Sequence, residues 1–85
     1  MKEIEVGKVA DYFANIGVVA IEVTAEGIKV GDTLHFLGHT TDFTQKITSM
    51  QVEHQTVEEA PVGSSVGIKV SERVRAHDQV LKVVE

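Results

Sequence analysis

The sequence predicts an all-β domain, a small closed Greek-key-like barrel of about six or seven strands. Three observations predict it. Valine and isoleucine together number 21 against 3 leucines, and 7 threonines add to the β-branched total. Such side chains lose χ1 freedom on a helix and pack well on a pleated sheet. Turn signals recur every eight to twelve residues or so, the spacing of short strands in sandwiches and barrels. No long segment carries an apolar period of about 3.6 residues, the mark of an amphipathic helix. In a single domain of 85 residues, closing the sheet would remove edges that invite aggregation.

The first strand lies in "IEVGKVADYF", where Ile4 and Val6 alternate with Glu3 and Glu5. The apolar phase changes after Gly7, to Val9 and Phe13, so a bulge near Gly7 is expected. "ANIG" reads as a turn, with Asn15 and Gly17 tolerant of positive φ. "VVAIEVT" is the second strand, with Val19, Ile21 and Val23 on one face.

A turn through Ala25–Gly27 leads into "IKV", with Ile28 and Val30 opposite Lys29. Gly31-Asp32 is a turn dipeptide, and the Asp32 carboxylate is expected to accept backbone N–H bonds there. "TLHFLG" is a core strand with Leu34 and Phe36 inward, and "HTTD" is a loop tip. In "FTQKITSMQVEHQ" the phase breaks near Thr48-Ser49, between Ile47 and the set Met50, Val52, His54. A bend there would let one strand serve two sides of a barrel. "VEEAPVG" holds the single proline, Pro61, and Gly63, and reads as a connection because proline donates nothing to a ladder. "SVGIKV" points Val66, Ile68 and Val70 inward. "SERVRAHD" is polar, with one helical turn expected from Ser71, and "QVLKVV" is the last strand.

Size and charge narrow the function. The chain has no cysteine, hence no disulfide and no thiolate chemistry. No stretch approaches the roughly 18 apolar residues of a membrane-spanning helix. "MKEIEVGKV" lacks the apolar block of a signal peptide, so a cytoplasmic location is expected. The net charge is −5, from 8 basic and 13 acidic residues, which disfavours binding nucleic acid through bulk electrostatics.

The ordered run Val23, Gly27, Ile28, Lys29, Val30, Gly31, Asp32, Leu34, followed by "EAPVGSSVGIKV" and "VLKV", resembles the second domain of the translational GTPases, the β-barrel of elongation factor Tu. The likeness covers roughly residues 4 to 84. It departs from that family in having no phosphate-cradling "GxxxxGK[ST]" motif, so GTP is not expected, and "ANIGVV" keeps Gly17 but no arginine. "MQVEHQTVEEAPVGSSVGIKV" is similar also to the barrel appended to collagenase-like peptidases, a family that includes RNA-modification enzymes.

The resemblance implies a non-catalytic binding module, docking on RNA, a ribonucleoprotein or an RNA-modifying enzyme. A protein–protein assembly module without nucleic-acid contact is the alternative, with a protein of the collagenase-like peptidase type as a partner. The candidate contact residues are Lys46, Lys69, Arg73, Arg75 and His77, and the structural turn residues are Gly27, Gly31, Asp32 and Gly63. In "SERVRAHD" the arginines would either meet phosphates or pair with Glu72 and Asp78. Of the aromatics, Phe13 and Phe36 fall on core faces, while Tyr12 and Phe43 lie near turns. No cofactor, metal site or catalytic residue is expected. His35, His39, His54 and His77 lack the convergent spacing zinc requires. Asp11, Glu22, Asp32 and Asp42 are not drawn together by anything in the sequence, and no nucleophile has an adjacent base.

Overall fold

The computed structural model describes residues 2–84. Ten strands follow in order: β1 (Lys2–Phe13), β2 (Val18–Val23), β3 (Ile28–Lys29), β4 (Thr33–Leu37), β5 (Asp42–Lys46), β6 (Met50–Val52), β7 (Gln55–Val57), β8 (Glu59–Ala60), β9 (Ser65–Lys69) and β10 (Gln79–Val84). Eight of them make one sheet in the order β5-β4-β10-β1-β2-β9-β6-β7, and β3 and β8 make a second. The pairings are antiparallel. The all-β character follows from the β-branched composition, and side-chain alternation sets the inner face. Val19, Ile21 and Val23 are buried on β2, Leu34 and Phe36 on β4, Val66 and Ile68 on β9. Ile28 and Ala60 join the same core from the small sheet.

The expected closed barrel is not found. Closure requires the terminal strands of a sheet to pair with matched tilt and stagger. Here the order starts at β5 and stops at β7, each paired on one side, so the arrangement is open, with ten strands in two sheets rather than six or seven in one. The extra strands are short: β8 falls in the stretch read as a connection, and β5, β6 and the start of β7 divide what was read as one bent stretch.

β1 is long enough to serve two neighbours. It pairs with β10 from Lys2 to Lys8 and with β2 from Gly7 to Phe13. The register against β10 shifts between Glu5 and Gly7, where the bulge was expected. Gly7 is required there by close approach, since a Cβ would run into the Glu22 carbonyl oxygen. A second shift, between Val9 and Asp11, was not legible in the sequence. It re-phases the end of the strand, so Tyr12 packs against the core and Phe13 turns out, 47% exposed. The expectation that Phe13 fills the core is thereby corrected. Phe43, placed near a turn by the sequence, is buried and stacks on Phe36 with ring centroids 5.0 Å apart.

The turns carry the chain between these strands. Gly31 takes φ 99° and donates its N–H to the Ile47 carbonyl at 2.8 Å, tying the β3–β4 turn to the exit of β5. The β6–β7 hairpin turns through Glu53 and His54, at φ 52° and 66°, a pair of left-handed positions that Asn-Gly usually fills. The segment between β9 and β10 contains no helix, contrary to the turn expected from Ser71. Val74 is buried there, and the Asp78 carboxylate accepts the Arg75 N–H at 2.9 Å, which holds the segment in turns instead.

Candidate functional site

The basic candidates do not form one cluster built by side-chain contacts. Lys46 and Lys69 are exposed at the ends of β5 and β9, and Arg73, Arg75 and His77 are exposed in the segment between β9 and β10. None of the three ion pairs found among the described residues includes any of them. Asp78 does not pair with an arginine side chain in those ion pairs, because its carboxylate caps the Arg75 backbone. Of the turn residues, Gly27 and Gly63 lie at φ 75° and 94°. The Asp32 Oδ2 accepts the Lys29 N–H at 2.8 Å and meets the Lys82 ammonium at 3.3 Å.

A charged cluster that sequence reasoning missed sits across β1, β10, β4 and β5. His35 Nδ1 lies 3.0 Å from both carboxylate oxygens of Glu3, and its Nε2 lies 2.6 Å from Asp42 Oδ1. Ionised carboxylates only accept, so contacts at both ring nitrogens favour the imidazolium form. Its pKa is raised, first by the hydrogen bond to Asp42 and then by that to Glu3, with burial opposing. With both nitrogens committed, this ring is not available as a general base. Glu3 and His35 are separated by 32 residues, and only the pairing of β4 with β10 and β10 with β1 brings them together. No local signal marks it. Among the described residues no group of three or more His, Asp or Glu side chains is arranged to hold a metal.

A concave feature that combines apolar surface with small residues lies on the outer face of β1, β2, β9 and β6. The registers lay this face out row by row. Phe13 pairs with Val18, and Val18 with Lys69. In the next row Asp11 pairs with Ala20, Ala20 with Gly67, and Gly67 with Gln51. One row further, Lys8 pairs with Glu22, and Glu22 with Ser65. The central row has the two smallest side chains at its middle, and a hollow of about 280 Å³ opens over them. Phe13, Ile16 and Val18 line one side; Glu53, His54 and Ser65 line the other. Phe13 and Ile16 are 47% and 62% exposed, more apolar surface than the fold itself needs at a hairpin tip. A smaller hollow of about 200 Å³ shares Val18, Gln51 and Gly67 with it and reaches Lys69. The sequence reading picked out Lys69 alone of this row's residues as a candidate contact. It could not assemble the row, which exists only because β2, β9 and β6 are adjacent.

No protein-family model matches the chain. The chain is 35% identical, over 99% of its length, to an uncharacterized protease of Methanocaldococcus jannaschii, of which it spans 21%. It is 35% identical over 95% of its length to a collagenase of Porphyromonas gingivalis, spanning 20% of that protein. The chain therefore covers about a fifth of the curated relatives it matches. Its fold is that of the C-terminal domain of a putative U32 peptidase from Geobacillus thermoleovorans, with TM-scores of 0.86 and 0.84 in two crystal structures. Sequence identity to those is 22% and 21%, over 94% and 91% of this chain and 92% and 96% of theirs. These findings overturn the elongation-factor resemblance. They also overturn what was drawn from it, a non-enzymatic module for docking on RNA or ribonucleoprotein. The relatives carry protease and collagenase names, and the fold is similar to that of a U32 peptidase C-terminal domain.

Proposed function

We propose that the chain is a peptidase-associated β domain of the U32 and collagenase-like kind, acting on polypeptide together with a catalytic body. The observation that carries the reading is the 35% identity to a named protease over 99% of the chain. The fold of a U32 peptidase C-terminal domain supports it. Two features of the chain fit a supporting role within such an enzyme. The histidine with the strongest carboxylate contacts has both nitrogens occupied. Two exposed large apolar side chains, Phe13 and Ile16, border one hollow with dimensions suited to a side chain rather than to a cofactor. The four fifths of the relatives that lie outside the match would then supply the hydrolytic groups, and this domain would hold polypeptide near them. Holding substrate in place acts through proximity, which lowers KM and raises kcat/KM.

The test is a domain exchange in the Porphyromonas gingivalis collagenase, assayed on gelatin. One variant has its matching segment deleted, and another has it replaced by this chain. Deletion is expected to lower kcat/KM at least about tenfold and the replacement to restore most of it, a change of roughly 1.4 kcal/mol in transition-state stabilisation. Equal activity of the deleted and parent enzymes would overturn the reading.

A further inference from the structure

We propose that the hollow over Ala20 and Gly67 is a polypeptide-binding subsite that takes one large apolar side chain flanked by basic residues on an extended segment. For the source of that segment, the substrate polypeptide, the inference rests on the peptidase-associated reading. The binding itself does not.

The argument begins with the floor. Ala20 and Gly67 are register partners on adjacent strands, facing outward. Side chains of ordinary size at these positions would fill the row and level the surface. Gly67 is not required by the backbone. Its φ is not in the left-handed region, and a Cβ there would meet Val18 Cγ1 at 3.6 Å and the Gln51 carbonyl oxygen at 3.9 Å, both ordinary contacts. A β-branched residue would suit a strand better. The absence of a side chain therefore has no structural cause at this site, and its effect is to leave the hollow open.

The walls say what the hollow accepts. Phe13, Ile16 and Val18 give one apolar side, and a volume of about 280 Å³ accommodates a leucine, methionine or aromatic side chain. The opposite side carries Glu53, and Asp11, whose Oδ1 accepts the Tyr12 N–H at 2.8 Å, ends the row at the β1 end just outside the hollow. Lys69 stands beyond the far corner, beside Val18. A cationic group beside the bound apolar residue meets Glu53 or Asp11, whereas an anionic one meets the same carboxylates and is repelled. Four strands about 4.8 Å apart set a path roughly 14 Å long, which four or five extended residues span. Glu53 and His54 are also the residues held at positive φ in the β6–β7 turn. Both residues of that turn line the hollow.

The experiment is an amide chemical-shift titration of the chain with three capped pentapeptides: Gly-Lys-Leu-Lys-Gly, Gly-Glu-Leu-Glu-Gly and Gly-Lys-Gly-Lys-Gly. The Lys-Leu-Lys peptide is expected to shift the amides of Val18, Ala20 and Gly67 at millimolar concentration. Affinity should be at least about tenfold weaker for each of the other two. Gly67→Val should keep the dispersed spectrum of the folded chain while weakening binding at least about tenfold. Glu53→Gln should reduce the preference for lysine over glutamate while leaving the Gly67 amide responsive. Equal affinity for the lysine and glutamate peptides, shifts confined to other strands, unchanged binding by Gly67→Val, or no shifts at all would each overturn the subsite. Binding as expected with a failed domain exchange would leave the subsite standing and remove the peptidase context. The reverse result would keep the context and remove the subsite.

Discussion

Gly38 leaves room for the carboxylate of Asp78: a Cβ built on Gly38 would overlap the Asp78 Oδ1 and crowd its Cγ. The two residues hold the β4–β5 turn against the segment entering β10. Asp78 is 6% exposed, its Oδ2 accepts the Arg75 N–H, and its carbonyl accepts the Val9 N–H at 2.9 Å. Gly38→Ala must displace the carboxylate and leave the Arg75 N–H unpaired, a cost of about 1–3 kcal/mol. If the overlap is the cause, the cost is not additive. Asp78→Ala removes the obstruction, so the double variant should lose less than the sum of the single losses by at least about 0.5 kcal/mol. Urea unfolding of the four proteins measures this, and strict additivity would rule out the overlap as the cause.

The imidazolium of His35 makes stability depend on pH in a defined direction. Its folded pKa is raised above the usual histidine value by Asp42 and Glu3. The folded chain therefore holds a proton that the unfolded chain releases. The stabilisation is complete below the unfolded value of about 6.5 and is lost as pH rises through the higher folded value. Urea midpoints should fall between pH 6 and pH 9 or so in the parent, and the fall should be smaller in His35→Gln. An equal slope in both proteins would assign the pH dependence to other groups. Salt should reduce the effect, because Asp42 is 74% exposed in the pair.

How much of this was legible depended on how local the cause was. The β class came from composition, and the Gly7 bulge from a break in alternation within a few residues. Leu34, Phe36, Val66 and Ile68 were placed inward by the period of two, and they are buried. Closure was not local. Whether β5 meets β7 depends on tilt and stagger summed over eight strands, and no turn motif encodes that sum. Phe13 was misplaced for a related reason. Its apolar character fits either face, and the bulge between Val9 and Asp11 has no glycine to announce it. The Ala20–Gly67 row and the Glu3–His35–Asp42 cluster both join residues from strands far apart in sequence. The resemblance to elongation factor Tu rested on turn wording such as "KVGD", which any β-rich domain with the same turn would use.

At the open edge of the sheet, one side chain takes the place of a ladder. Gln45 on β5 donates its Nε2 to the Lys69 carbonyl at 2.7 Å and accepts the Ser71 N–H on its Oε1 at 2.8 Å. Its carboxamide pairs as a backbone peptide would, between strands with no register of their own. Gln45→Ala should cost about 1–3 kcal/mol for the two bonds and speed hydrogen exchange at the Ser71 amide. Gln45→Glu keeps the acceptor for Ser71 but faces the Lys69 carbonyl with an oxygen, so it should protect that amide while recovering less than half of the lost stability. Unchanged exchange at Ser71 in Gln45→Ala would show that this edge is held by packing alone.

Asp32 separates the contribution of shape from that of charge at the β3–β4 turn. Its Oδ2 serves two partners, the Lys29 N–H and the Lys82 ammonium, and the Asp32 and Lys82 side chains are only 19% and 13% exposed. The N–H bond requires an oxygen at that place and not a charge, so Asp32→Asn can keep it. The ammonium requires a charge, since a buried cation without a partner is costly. Asp32→Ala should therefore destabilise more than Asp32→Asn, by about 0.5–1.5 kcal/mol for the turn bond. Lys82→Met, which fills similar volume without a charge, should restore a similar amount in both Asp32 variants and leave the turn-bond difference between them in place. Unfolding midpoints of the five proteins decide it. If Asp32→Ala and Asp32→Asn are equally stable in the Lys82→Met background, the turn bond adds nothing and the ion pair accounts for the whole effect.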